Sequence, residues 1–134
     1  MQAQGLSAYG WGIGQLAENL RLICAGSELV DAGKGVRFVV ERYGVPTPAF
    51  VIRYKGQVFG YFNECGHIPA QLDWQAGEFF DDSKLYLICS IHGALYAPDT
   101  GRCLGGRCGR TGLKPLPISE IQGRIYLEQK DSHG

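Results

Sequence analysis

Short apolar runs alternate with turn-forming residues along most of the chain, from residue 21 onward. The runs are rich in Val, Ile, Phe and Tyr and are bounded by Gly, Pro and Asp; they span residues 37–40, 49–54, 58–62, 85–88 and 124–127. Such short runs are typical of antiparallel β-strands, because a helix needs a longer segment with a period near 3.6 residues. The pattern predicts an all-β domain of about eight to ten short strands.

Turn and helix signals divide the chain further. Residues 54–57 and 98–101 each predict a tight turn between two strands. Leu16, Leu20 and Ile23 recur near the helical period and predict one helix over residues 13–23. The alternative for this segment is a loosely held extension. We therefore expect a partly helical N-terminal extension over residues 1–20, one domain over residues 21–128, and a polar C-terminal tail over residues 129–134.

Length and charge limit the classes of partner. The chain has 134 residues, of which 45% are apolar, and this is enough for one domain with its own core. Thirteen basic and thirteen acidic residues cancel, so the net charge favours neither nucleic acid nor an anionic membrane. No segment has the composition of a signal peptide or of a membrane span. The expected location is cytoplasmic.

The charges are uneven along the sequence. Five acids follow one another without a base between them: Glu64, Asp73, Glu78, Asp81 and Asp82. Five bases share the later stretch with a single acid: Arg102, Arg107, Arg110, Lys114 and Arg124. The ordinary interpretation is a solvated surface. The alternative is a basic patch that docks an acidic redox partner.

The strongest chemical signal is a pair of motifs, Cys65-Gly66-His67 and, after a gap of 21 residues, Cys89-Ser90-Ile91-His92-Gly93. Five cysteines are an odd number for a disulfide framework, which favours metal ligation. Each motif offers one thiolate and one imidazole beside a turn glycine, and two such loops supply the four ligands of an Fe2S2 cluster. Zinc accepts the same ligands, although its sites usually group Cys with Cys and His with His.

These motifs resemble those of Rieske-type ferredoxins, together with Tyr96, Thr100-Gly101, Gly105-Gly106 and the closing residues 123–126. The resemblance covers about residues 21–128. It implies stacked antiparallel sheets with one [2Fe-2S] cluster at the tip between two loops. It also implies that Cys65 and Cys89 bind one iron, and His67 and His92 the other.

Several residues depart from the high-potential members of this family. Ala70 and Ile91 stand where those members have a disulfide between the two loops, and Ala94 stands where they have a serine that donates to a bridging sulfide. Tyr96, which resembles their second donor and could reach the sulfur of Cys65, is retained. Fewer hydrogen bonds to sulfur stabilise the reduced cluster less, so we expect a potential toward the low end of the Rieske range.

Two further departures concern the surrounding loops. The gap between the motifs is a few residues longer than small Rieske ferredoxins have, which predicts a longer hairpin within residues 72–82. Cys103 and Cys108 flank the loop that covers the cluster in the family, and Arg107 replaces its proline. In a reducing cytosol we expect free thiols at both cysteines rather than a disulfide. Cys24, in an apolar run, is expected to be ordinary core.

The resemblance implies a one-electron carrier, the ferredoxin component that passes electrons from a flavin-dependent reductase to a terminal oxygenase. The chain has three histidines, and His133 lies in the polar tail, so a 2-His-1-carboxylate oxygenase site cannot be built beside the cluster. We therefore expect no enzyme activity of its own. The alternatives are a redox or cluster-sensing binding module and a zinc-stabilised structural module.

Overall fold

The computed structural model describes residues 20–65, 70–73, 75–90, 93–106, 108 and 111–129. Within these residues the chain forms ten β-strands and one short 3-10 turn, Gly26–Glu28. The strands are β1 (Leu20–Ala25), β2 (Val36–Arg42), β3 (Val45–Tyr54), β4 (Gln57–Phe62), β5 (Leu87–Ile88), β6 (Leu95–Tyr96), β7 (Cys103–Gly105), β8 (Pro115–Leu116), β9 (Ile118–Ile121) and β10 (Arg124–Glu128). The predicted all-β class and strand number are confirmed for the described residues.

The strands form three antiparallel sheets. Their orders are β1-β10-β9, β2-β3-β4-β8 and β5-β6-β7. The long central strand β3 pairs with β2 on one side and with β4 on the other. The first and last described strands lie side by side, since Leu20 of β1 pairs with Glu128 of β10.

Three of the hairpins have a two-residue turn in which both residues have positive φ. These turns are residues 43–44, 55–56 and 122–123, and glycine is the second residue of each. Positive φ at both positions gives the turn a twist that matches the twist of the flanking strands, and glycine adopts it without steric cost. The turn predicted over residues 54–57 is one of them. The predicted turn at residues 98–101 also forms, and the Gly101 N–H donates to the Ala97 carbonyl over 2.8 Å.

The core is divided between the two faces of β3. Phe50 and Ile52 belong to one cluster of buried residues, whereas Val51 belongs to a second cluster with Cys24 and Ile125. Successive side chains of a strand point to opposite faces, so β3 lies between two layers of packing. This explains why residues 49–52 are all fully buried and form an unbroken apolar run.

The structure describes residues 20–23 of the segment predicted as a helix over residues 13–23, and for these residues the prediction is wrong. Leu20–Ala25 is strand β1, and Cys24 packs into the core against Ile125. The pairing of β1 with β10 satisfies its backbone and outweighs a weak helical period. Residues 13–19 lie outside the described residues. No helix in the described part of the chain is long and apolar enough to cross a membrane.

Between the two motifs the structure has a hairpin over residues 80–87, which overlaps the expected segment, residues 72–82, only at its end. Phe80 forms a bridge with Leu87, and the Asp81 N–H donates to the Tyr86 carbonyl over 2.9 Å. At its base the ring of Phe79 stacks on that of Phe50, with centroids 3.9 Å apart. The hairpin is therefore anchored to the central sheet.

Arg53 links the end of β3 to two other parts of the fold. Its guanidinium donates to both carboxylate oxygens of Glu120 (2.9 and 2.7 Å), to the Leu29 carbonyl (2.8 Å) and to the Gly26 carbonyl (3.1 Å). The hydrogen bond with Glu120 raises the pKa of Arg53, and the same bond lowers the pKa of Glu120. One side chain thus holds β3, the 3-10 turn and β9 together.

Candidate metal centre

Both cysteines of the predicted ligand set make the same backbone hydrogen bond, to the carbonyl of the residue five positions later. The Cys65 N–H donates to the Ala70 carbonyl over 2.7 Å, and the Cys89 N–H donates to the Ala94 carbonyl over 2.9 Å. Each bond closes six residues into a loop, and each loop contains one of the predicted histidines in its sequence. His67 and His92 themselves lie outside the described residues. The same closing hydrogen bond therefore occurs at both motifs.

The thiols of Cys65 and Cys89 are buried in one place. Cys65 is 4% exposed and Cys89 is fully buried, neither forms a disulfide, and both belong to the core cluster on one face of β3. Cys65 follows β4 and Cys89 follows β5, so two different sheets bring the cysteines into the same cluster. Thiolates in an apolar core need a cationic partner, and a metal centre supplies one.

The second loop is also joined to the segment that follows the first. The Ser90 N–H, next to Cys89, donates to the Leu72 carbonyl over 3.0 Å. Within the second loop the Gly93 N–H donates to the Cys89 carbonyl over 2.7 Å, and Gly93 has a φ of 71°. Glycine is favoured at this φ because a side chain there would be strained. The second loop is thus closed internally and attached to the residues that follow the first.

A tyrosine hydroxyl lies against the first cysteine. Tyr96 is fully buried, and its Oη is 3.4 Å from the Sγ of Cys65. A phenolic O–H donates to a thiolate, so this contact stabilises negative charge on sulfur. Ala94 is fully buried in the same group of core residues as Tyr96 and Cys65, and its side chain has no hydrogen-bond donor. The contact expected for Tyr96 from the sequence is confirmed.

A buried carboxylate holds the residues that flank the first loop. Asn63 Nδ2 donates to Asp73 Oδ1 over 3.0 Å, the Gly77 N–H donates to Asp73 Oδ2 over 2.9 Å, and Arg37 Nε lies 3.4 Å from Oδ2. The Leu72 N–H in turn donates to Asn63 Oδ1 over 2.8 Å. The Asp73 side chain is fully buried, so the expectation of a solvated surface is wrong for this residue. A buried carboxylate needs such partners because its desolvation is costly.

Sequence reasoning missed these supporting residues. Asn63 stands two positions before Cys65, at the end of an apolar run, and this was a usable signal for a polar side chain that supports the loop. Nothing in the sequence pairs it with Asp73. The two are ten positions apart, and only the path of the loop brings them together.

The side chains at the described part of the site fit an iron-sulfur cluster. Two buried cysteines lie in the same group of packed core residues, each at the start of a motif closed by the same backbone hydrogen bond, and a hydroxyl lies against one of them. Among the described residues no group of three or more His, Cys, Asp and Glu side chains gathers into a metal site. Two of the four predicted ligands are outside those residues.

A sequence model of the Rieske [2Fe-2S] domain matches residues 19–117 of the chain. The chain belongs to the Rieske [2Fe-2S] domain family. The resemblance inferred from the two motifs is therefore confirmed, and the cofactor of this family is one [2Fe-2S] cluster per domain. No curated protein sequence matches the chain significantly.

Solved structures share the Rieske fold. The ferredoxin of carbazole 1,9a-dioxygenase from Nocardioides aromaticivorans IC177 is 18% identical, with 84% of this chain and 99% of that chain covered and a TM-score of 0.63. The Sphingomonas yanoikuyae B1 ferredoxin is 23% identical, with 84% and 100% covered and a TM-score of 0.64. The terminal oxygenase of carbazole 1,9a-dioxygenase from N. aromaticivorans IC177 is 20% identical, with 85% and 31% covered and a TM-score of 0.62. At these identities the similarity shows the fold alone.

The bonding of Cys103 and Cys108 in this Rieske domain differs from the expectation. Cys103 and Cys108 form a disulfide, with Cα atoms 6.0 Å apart, so the prediction of free thiols is wrong. That separation is ordinary for a disulfide. The prediction relied on the redox state of the compartment and could not show that the turn after β7 brings the two side chains together. Cys24, in contrast, is buried in the second core cluster as expected.

Replacing Tyr96 with phenylalanine should lower the midpoint potential of the Rieske cluster by about 40 mV, the one-electron equivalent of one hydrogen bond of about 1 kcal/mol. The reason is that the hydroxyl 3.4 Å from the Cys65 sulfur stabilises the more negative, reduced state. A spectroelectrochemical titration measures the shift. Tyr126→Phe is the matched control, since Tyr126 lies on β10 in a different sheet and should leave the potential unchanged. Equal potentials for Tyr96→Phe and the unsubstituted protein would contradict this assignment.

Proposed function

We propose that the chain is a one-electron carrier, the ferredoxin component that delivers electrons from a flavin-dependent reductase to a terminal oxygenase. The observation that supports this most directly is the burial of Cys65 and Cys89 in one group of packed core residues of a Rieske domain. When bound, the cluster takes up and releases one electron. The chain's own residues hold it and set its potential.

The four proposed ligands are Cys65 and Cys89 on one iron and His67 and His92 on the other. The thiol positions are supported by their burial and by the repeated loop closure. The imidazole positions are supported by the sequence, because each histidine falls inside one of the two closed loops. Histidine ligands remove negative charge from one iron and raise the potential above that of an all-thiolate cluster.

The proposed domain extends over residues 21–128, preceded by an extension over residues 1–20 and followed by a tail over residues 129–134. Strand β10 supports the C-terminal boundary, since it ends at Glu128 and pairs along its length with β1. The proposed location is cytoplasmic, where a flavin-dependent reductase has its nicotinamide substrate.

The proposed oxygenase partner is supported by the structural neighbours. These neighbours include the ferredoxin of carbazole 1,9a-dioxygenase and a complex of that ferredoxin with its oxygenase. The chain itself is proposed to have no catalytic residues. Its third histidine is His133, and one histidine is too few for a 2-His-1-carboxylate iron site once the cluster has its ligands.

The test uses the purified holoprotein with a flavin-dependent ferredoxin reductase and a Rieske oxygenase that accepts electrons from a ferredoxin. We expect two irons and two acid-labile sulfides per chain, a Rieske-type EPR spectrum in the reduced state, and product formation that requires this chain. The midpoint potential should lie toward the low end of the family range, near about −150 mV. A zinc-containing protein without labile sulfide, or a potential above about +150 mV, would contradict the proposal. A full cluster that supports no turnover would favour the sensing module instead.

A further inference from the structure

The disulfide between Cys103 and Cys108 lies in the core that contains both cluster cysteines. Cys108 is 1% exposed and belongs to the same cluster of buried residues as Cys65 and Cys89. Cys103, on β7, is only partly buried and packs against these buried core residues. The bridge therefore joins a partly exposed residue to one in the interior.

The strand that contains Cys103 supports the hydroxyl donor of the site. Cys103 pairs with Tyr96 across β6 and β7, and the Tyr96 hydroxyl lies 3.4 Å from the Cys65 sulfur. Only two residues of β6 pair with β7, so this ladder is short and needs other support. The disulfide closes the chain immediately beyond it.

Gly106, between the two bridged cysteines, packs closely against the loop that begins at Cys89. Gly106, with a φ of 80°, approaches that loop so closely that a Cβ atom there would lie 2.6 Å from the Gly93 carbonyl oxygen and 2.8 Å from the Ala94 Cα. Ala94 accepts the hydrogen bond that closes the Cys89 loop. A displacement of the turn would therefore remove this contact from the Cys89 loop.

From these contacts we infer that the Cys103–Cys108 disulfide is a reducible brace, and that its redox state sets how firmly the protein holds its cluster. This rests on the proposed cluster-binding function. In the reaction, a thiolate of a dithiol reductant attacks Cys103 Sγ, the S–S bond breaks, and Cys108 leaves and takes up a proton. The second thiol of the reductant then displaces Cys103, so the chain gains two thiols and the reductant becomes a disulfide.

The first measurement counts thiols. Protein purified without reductant is denatured, freed of cluster and alkylated, and its mass is determined before and after treatment with dithiothreitol. We expect three alkyl groups before treatment, on Cys24, Cys65 and Cys89, and five after it. Five groups without any reductant would overturn the proposal. This count does not depend on electron transfer, so it can succeed or fail independently of the proposed function.

The second measurement follows loss of the cluster's visible absorbance in the holoprotein, with an iron chelator present and without oxygen. Reduction of the disulfide should make cluster loss about tenfold faster, because the short ring no longer restricts the turn. Dithiothreitol and a phosphine should accelerate it equally at matched extents of disulfide reduction, which separates the effect from iron chelation by the reductant. An unchanged rate in the fully reduced protein would overturn the proposal.

Two variants complete the test. Cys103→Ser/Cys108→Ser should lose its cluster at the fast rate from the start and should not respond to reductant, whereas equal acceleration of this variant by reductant would overturn the proposal. Cys24→Ser is the matched control, because Cys24 is a buried cysteine of the other core cluster, and it should keep the full response to reductant. If the double variant does not fold, the unsubstituted protein provides the test by itself: its rate of cluster loss should rise with the fraction of disulfide reduced.

Discussion

Cys89→Ala is expected to abolish cluster binding. The thiol of Cys89 is fully buried in the core cluster that also contains Cys65, and no described side chain nearby offers a replacement thiolate outside the Cys103–Cys108 disulfide. A cluster with three protein ligands is exposed to hydrolysis at the open iron position. Iron and labile sulfide should fall to background, and the reduced protein should show no Rieske-type EPR signal. Metal analysis of the purified variant measures this directly.

Cys24→Ala is the matched control for this loss. Cys24 is also a buried cysteine without a disulfide, but it belongs to the other core cluster with Val51 and Ile125. Burial raises the pKa of its thiol to about 11, so it is a neutral apolar group at pH 7. The control should retain two irons per chain and lose only the packing of one small side chain. A full iron content and an unchanged spectrum in Cys89→Ala would show that Cys89 is not a ligand.

Arg53→Met should lower the free energy of unfolding by about 3 kcal/mol, because it leaves a carboxylate and two partly buried carbonyls without their charged donor. Arg53 donates to Glu120 and to the carbonyls of Gly26 and Leu29, whereas methionine retains the aliphatic bulk. The thermal unfolding midpoint of the holoprotein should fall by about 10 °C. Arg124→Met, at an exposed position on β10, is the control and should change stability by less than about 0.5 kcal/mol. Equal midpoints for the two variants would contradict the role of Arg53.

The same ion pair should contribute to the acid sensitivity of the fold. The hydrogen bond from Arg53 lowers the pKa of Glu120 in the folded state, so this carboxylate stabilises the fold fully above the ordinary pKa of a glutamate carboxyl. That contribution is lost as the pH falls through the lowered folded value. Glu120→Gln should therefore be less stable than the unsubstituted protein at pH 7, and the difference should shrink below pH 4. A difference that stays constant with pH would contradict the assignment.

Much of the site could be predicted because its signals are local. Each motif places a cysteine and a histidine within three positions of each other beside a glycine, and the six-residue loop closure at each cysteine follows from that short segment. The strands of the central sheet were predictable for the same reason, since their apolar runs end at two-residue turns with glycine. All four ligands stay predictions: Cys65 and Cys89 are buried as a metal site would need, and His67 and His92 lie outside the described residues.

The sequence alone determined the fold class and the family, because the strand pattern and the two motifs depend on residues that are neighbours along the chain. Only the tertiary structure decided the burial of Asp73, the pairing of Leu20–Ala25 as a strand, and the disulfide between Cys103 and Cys108. A local pattern cannot show what a residue will meet when a distant strand packs against it. Asp73 looks like a surface acid until Arg37, on β2, reaches its carboxylate.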